Sequence, residues 1–317
     1  LNTTGNYNVA LGGFSMYKNT TGEGNTAIGN GTLQENTTGD SNTAIGQAAL
    51  TANTTGDSNT AVGQGSLQAN TTGSNNVAMG IGTLSANTTG NRNIAIGQTA
   101  LYSNTTGAEN IGIGFKALYT NTTGNYNIAI GSQSLNANTS GTGNVGLGYQ
   151  TLYYNTSGSF NTASGYMSLR ANTTGSEISA LGYQALYSNT TGSQNTAVGA
   201  SAGTSVTTGT SNNIIGGLAG DALTTGSFNQ VLGVAALSAD TKGNRAIAIG
   251  HGAGYYVGPS DNYKFYLGSS QIDNTSICAD PDGDSVNPLF YGDLLNNRLA
   301  VNSKEITNTA VLQTSGN

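Results

Sequence analysis

The chain has no tryptophan, one histidine, one cysteine and three prolines in 317 residues. Each scarcity closes off a class of answer. A single cysteine, Cys278, cannot form an intrachain disulfide, so no disulfide framework supports the fold. The lone histidine, His251, would have to meet a nucleophile and a carboxylate by chance to form a triad, and it reads as an exposed or packing side chain. Charge is scarce too: 8% of residues are charged, the net charge is −6, and no Lys/Arg cluster exists, so nucleic acid is not an expected partner. The carboxylates Glu23, Glu35, Asp40, Asp57, Glu109 and Glu177 are scattered singly, without the repeated pair that glycoside hydrolysis needs. We therefore expect no enzymatic activity and no cofactor. No apolar run approaches the length of a membrane-spanning helix, and membrane insertion is not expected. The chain begins with Leu rather than Met and is read as a fragment or processed product.

What the chain has is glycine, 48 of them, and a period. Residues 36–52, NTTGDSNTAIGQAALTA, exemplify a 17-residue unit that starts at Asn2 and recurs without insertion or deletion through residue 256, fifteen times. The leading Asn is lost in the last three units, at Val206, Leu223 and Asp240. So strict a period predicts a solenoid whose units stack on copies of themselves.

The columns of the repeat assign the positions. Gly occupies the fourth and eleventh positions of all fifteen units, which reads as two corners at positive φ. The tenth position is a large aliphatic in fourteen units (Ile28, Ile45, Val62, Ile96, Leu181), with Ser164 the exception. The fifteenth is Leu or Met in twelve. Two short strands per unit are expected, each donating one large apolar side chain. In T-A-I the eighth and tenth positions share one face and the ninth points away. The ninth is Ala or Gly in thirteen units. The aliphatic face is expected inside the coil, and the Ala face outside, against a neighbouring backbone. Several copies are thus expected to share an axis, packed Ala to Ala, in a rod about 70 Å long at roughly 4.8 Å per turn.

N-T-A-I-G followed by a small residue and Leu resembles the left-handed parallel β-roll repeat of trimeric autotransporter adhesin heads, whose repeats are shorter. The longer N-T-T-G form is similar to repeats of phage and other viral tail-fibre proteins. The resemblance implies an all-β, left-handed, homotrimeric parallel β-roll over residues 1–256. It also implies an extracellular place, on a virion tail fibre or a cell surface, and multivalent attachment to a host-surface glycan or protein. Residues 257–317 form a separate β-rich module, set off by Pro259. Strands are expected around Tyr263, Phe265 and Leu267, at 288–293 and at 298–302. This module resembles the segment that precedes an endosialidase-type intramolecular chaperone, itself missing here; Ser315 is the nearest candidate for a cleavage-proximal serine.

Three candidate sites stand out. Asp280, Asp282 and Asp284 in D-P-D-G-D alternate as calcium ligands do, although the Gly and the distal Glu of a calcium loop are out of place. Twelve N-T-T or N-T-S sequons, from Asn2 to Asn189, match a glycan acceptor but also make turn chemistry. Tyr102, Tyr119, Tyr153 and Tyr187 share the sixteenth column, and Tyr149, Tyr166 and Tyr183 the twelfth, which predicts ladders suited to sugar or protein recognition. Rival readings are a self-assembling surface filament and an ice-binding solenoid built on the Thr columns.

Overall fold

The computed structural model describes residues 2–255, 262–267, 290–293 and 298–301. The chain divides into two compact units, Leu1–Thr174 and Gly175–Asn317. All of the regular structure described is β.

The first unit is a β-solenoid with one three-residue strand per turn, from β1 (Val9–Leu11) to β10 (Thr162–Ser164). Each strand pairs in parallel with the strand 17 residues further on, column to column, as in Thr26↔Thr43, Ala27↔Ala44 and Ile28↔Ile45. The second expected strand is absent. The fifteenth position lies in a turn, where Leu50 holds φ 49° and still donates its N–H to the carbonyl of Ser66 at 3.0 Å. Turn-to-turn bonding therefore persists around the corner without a pleat.

The two invariant glycines do different work. At the eleventh position the reason is backbone conformation, since Gly46 sits at φ 122°. At the fourth the reason is close approach. A Cβ on Gly39 would lie 2.5 Å from the carbonyl oxygen of Gly56, one turn on. Left-handed backbone is otherwise carried by ordinary residues at the sixth, thirteenth and fifteenth positions, as at Ser41, Ala48 and Leu50.

The interior inverts the expected faces. Ala44, Ala61, Ala78 and Ala95 of the ninth column are fully buried, as are Leu50, Leu67, Leu84 and Leu101 of the fifteenth. The tenth-column aliphatics point outward, with Ile45 38% and Ile130 42% exposed. The cause is the width of the coil. A Cβ on Gly112, in the ninth column, would already lie 3.3 Å from Leu101 Cδ1, so a methyl group and one leucine fill the space between strand and corner. A second large aliphatic per turn has no room. Packing of copies Ala to Ala is thereby ruled out, because those methyls are spent inside each chain.

Two columns of asparagine complete the core. Asn36 Nδ2 donates to Gly39 O at 3.0 Å within its turn and to Asn19 Oδ1 at 2.8 Å in the turn before. Asn42 of the seventh column donates to Gly56 O at 2.8 Å and accepts from the backbone N–H of Asn59 at 2.9 Å. The amides thus satisfy corner carbonyls that the strand ladder cannot reach.

The second unit carries β11 (Ser179–Leu181) to β16 (Lys264–Leu267) in parallel, then β17 (Phe290–Asp293) and β18 (Arg298–Val301), both antiparallel. Its core changes hands. A Cβ on Gly203 would lie 2.9 Å from Cδ1 of fully buried Ile214, so bulk lost from the fifteenth column returns on the ninth. The sheet also runs past Val257. Phe265 pairs with Ile247 and Leu267 with Ile249, while Tyr266, 4% exposed, packs over Gly254 and plugs the coil. An 18-residue offset hid this extra strand from the period: Asn244 N–H donates to Asn262 Oδ1 at 2.9 Å, the contact that fifth-column neighbours make elsewhere at 17. Tyr263 occupies the left-handed sixth position, and Arg245 donates to its hydroxyl at 2.9 Å.

Candidate functional site

With the core filled by Ala, Leu and Asn, two of the exposed surfaces stand out. The first is the outward face of the sheet, columns eight and ten. In the first unit it presents Ile28, Ile45, Met79, Ile94, Ile96, Ile130 and Leu147, all large and exposed. In the second it presents Leu181, Val198, Ile215, Leu232 and Ile249. Nothing polar in the backbone competes there, because the strand groups are spent on the ladder. Such a stripe of part-exposed aliphatics is a candidate interaction surface.

The second surface is the aromatic side, built by the corner between the eleventh and seventeenth positions. Left-handed residues at the thirteenth and fifteenth positions turn the twelfth and sixteenth outward on consecutive turns. Tyr102 and Tyr119 stack with centroids 5.4 Å apart and planes at 12°, and Tyr149 and Tyr166 at 5.3 Å and 20°. Of the predicted ladders, one stacked pair in each column is thus present in the first unit. Tyr153 instead packs edge-on against Tyr154 at 4.7 Å. Tyr183 is exposed and Tyr187 half-buried, both in the second unit. Stacking covers only the ring faces that each pair turns to the other.

The tyrosine columns alone miss the cations that sit beside them. Lys116 Nζ lies 5.3 Å from the Phe115 ring centroid and 5.2 Å from that of Tyr119. The Arg170 guanidinium lies 5.3 Å from Tyr153 and 5.0 Å from Tyr154. Arg170 Nε donates to Gln150 Oε1 at 3.0 Å, and Gln150 Nε2 to Gln133 Oε1 at 2.8 Å. A half-buried polar track thus runs along the thirteenth column between two aromatic columns. The available signal in the sequence was negative. No Asp or Glu occupies the twelfth, thirteenth, sixteenth or seventeenth position of turns six to ten, residues 87–171.

The remaining candidates separate cleanly. Asp280, Asp282 and Asp284, Cys278 and Ser315 lie outside the described residues, and among the described residues no group of three or more His, Cys, Asp or Glu is placed to hold a metal ion. His251 is exposed on the last turn before the plug. Of the sequon asparagines, Asn2 is exposed, whereas Asn19, Asn36, Asn53 and the others through Asn189 are fully buried. A glycan on those would have to pass through the coil, so turn chemistry accounts for them. The second-column Thr hydroxyls are also spent, as in Thr37 Oγ1 to Thr54 O at 3.1 Å, while the third position presents an exposed Thr or Ser in fourteen turns, from Thr4 to Thr225. Among the described residues no helix is long and apolar enough to cross a membrane.

No protein-family model, curated protein or solved structure matches the chain.

Proposed function

We propose that the chain is the shaft or receptor-proximal part of a homotrimeric attachment fibre, a viral tail fibre or cell-surface adhesin, that holds weak sites for a host-surface glycan or protein in fixed array. The role is mechanical and extracellular, without catalysis or cofactor. The observation that carries it is the uncovered aliphatic face of the sheet: Ile45, Met79, Ile96 and Ile130 stand on one side of one unit, about a tenth-column residue per turn. Three such faces brought together about a common axis would bury them, each contributing a fraction of the about 1.5 to 3 kcal/mol of a fully exposed side chain because more than half of it is already covered. A trimer also triples the aromatic side, so that avidity replaces tight single-site affinity.

Light scattering of the intact chain tests this reading. A mass near three times 31.9 kDa supports it, and a monomer at micromolar concentration removes it.

Two rivals are disfavoured. End-to-end filaments need an open last turn, whereas Tyr266 plugs the coil of the second unit and β17 and β18 continue antiparallel beyond it. Ice binding needs a regular two-dimensional hydroxyl array, whereas the outward eighth column mixes Thr26, Thr43 and Thr60 with Val77, Ile94 and Ile111.

A further inference from the structure

We infer that the eighth column of the first unit sets the register in which copies of this chain meet, so that the sheet face accepts a second copy in parallel and at the same turn. This rests on the reading above that copies share an axis, and it adds how they align.

The face suits such a partner in size and in charge. Strands β1 to β10 each turn two side chains outward, twenty residues in all, which matches the about 20 to 30 residues a side of a specific interface. None of the twenty is charged, so like can meet like without repulsion. The two columns differ in what they specify. The tenth is a large aliphatic in nine of its ten positions, and a slip of one turn leaves it almost unchanged. The eighth is arranged in blocks. After Val9 it runs Thr26, Thr43 and Thr60, then five β-branched aliphatics from Val77 to Val145, then Thr162. Ser164, the one polar residue of the tenth column, shares a strand with Thr162, so β10 is the one strand of this unit that is polar at both outward positions.

One alignment keeps every block together. When the same turns meet, aliphatics cover aliphatics, and Thr60 and Thr162 face their own hydroxyls in the neighbouring copy, each able to donate and to accept. A slip of one turn sets Thr60 against Val77, Val145 against Thr162 and Leu147 against Ser164, which buries hydroxyls on aliphatics that offer no hydrogen bond. About a three-fold axis each mismatch recurs at three contacts. Reversing one copy about Ile111 also matches the eighth column, because the blocks are symmetric there, but it sets Ser164 against Val62. Parallel packing of equal turns is left without a mismatch. The coil itself cannot supply this mark. Every turn has the same length and stacks in the same column-to-column pairing, so only outward side chains tell one turn from the next.

Disulfide trapping in the intact chain tests this, with Cys278→Ser removing the native thiol and pairs of single-cysteine variants co-expressed under distinguishable tags. Ile111→Cys should cross-link to itself about tenfold more than to Ile128→Cys, since a turn of about 4.8 Å carries the pair out of the roughly 4.4 to 6.8 Å between Cα atoms that a disulfide spans. Val77→Cys should likewise trap itself and not Val145→Cys. Thr26→Val, Thr43→Val, Thr60→Val, Thr162→Val and Ser164→Leu together make both columns of the unit uniform. All five side chains lie outside the buried core, so circular dichroism should stay unchanged while the preference for equal turns falls at least fivefold. The inference is overturned if Ile111→Cys traps Ile128→Cys as readily as itself, if Val77→Cys traps Val145→Cys, if no eighth-column cysteine cross-links, or if the uniform variant keeps the parent's preference. A trimeric mass alongside any of these leaves the attachment reading standing, whereas a monomer removes both.

Discussion

Asn53 donates its amide to Asn36 Oδ1 at 2.8 Å across one full turn, and both side chains are completely buried. The same amide reaches Gly56 O at 2.9 Å, and Asn70 in turn donates to Asn53 Oδ1 at 2.8 Å. One side chain therefore serves three buried groups on three consecutive turns. Replacing it with an isosteric apolar residue, Asn53→Leu, strands the acceptor Asn36 Oδ1 one turn before and an N–H of Asn70 one turn after, while Gly56 O keeps its bond from Asn42, at about 1 to 3 kcal/mol for each buried group left unmet. Urea unfolding of that variant should show a loss of about 2 to 6 kcal/mol. A loss under 1 kcal/mol would mean that water replaces the ladder.

The opposite sign is expected where the backbone, not the core, is under strain. Thr99 is β-branched and sits at φ 54°, a region such residues avoid. Thr99→Gly should stabilise by about 1 kcal/mol, read as a rise in melting temperature. Leu101 has nearly the same φ, 51°, but its side chain is fully buried. Leu101→Gly should therefore destabilise by about 3 kcal/mol, because the lost packing outweighs the relief.

Gly146 and Gly112 both replace the ninth-column Ala, and they should respond differently to Ala. A Cβ on Gly146 would collide with Ser134 Oγ and lie 2.9 Å from Thr151 Oγ1, two hydroxyls already 2.7 Å apart. On Gly112 the nearest atom is Leu101 Cδ1 at 3.3 Å. Gly112→Ala should change stability by less than about 0.5 kcal/mol, whereas Gly146→Ala should cost about 1 to 3 kcal/mol. Adding Ser134→Ala should recover most of that cost, which a double-mutant cycle will read as coupling. Additive losses would refute the contact.

Neighbouring residues of one strand separate folding from association. Ile96 is 37% exposed and Ala95 fully buried. Ile96→Asp should leave the circular dichroism of the purified chain unchanged and lower its solution mass toward 31.9 kDa. Ala95→Asp places an unpaired charge in the coil and should abolish folding. An Ile96→Asp protein that keeps the parent mass would show that the aliphatic face is not where copies meet.

The period, the parallel stacking and the position of the corners were legible in the sequence, because a solenoid repeats its local chemistry and each repeat must satisfy the same neighbours. Asn36 as a corner residue bonded to its own turn follows from residue type alone. So do the tyrosine ladders, since two tyrosines 17 residues apart in a 17-residue coil must lie one above the other. Even the terminal module was partly legible, with β16 falling where alternation of Tyr263, Phe265 and Leu267 placed a strand and β17 and β18 within the two further segments expected.

What the sequence could not decide was which side of T-A-I is inside. Alternation assigns Ala44 to one face and Thr43 and Ile45 to the other, but both faces are apolar enough to be buried. The decision came from closure. Seventeen residues wind so tightly that Leu101 reaches to 3.3 Å of a ninth-column Cβ, and space for one methyl excludes Ile. The same geometry made the fourth Gly a matter of a carbonyl in the next turn rather than of φ, and brought Arg170 to Gln150 across 20 residues. Composition along one turn determines what repeats, whereas the distance across the coil, which no single turn contains, determines what is core and what is surface.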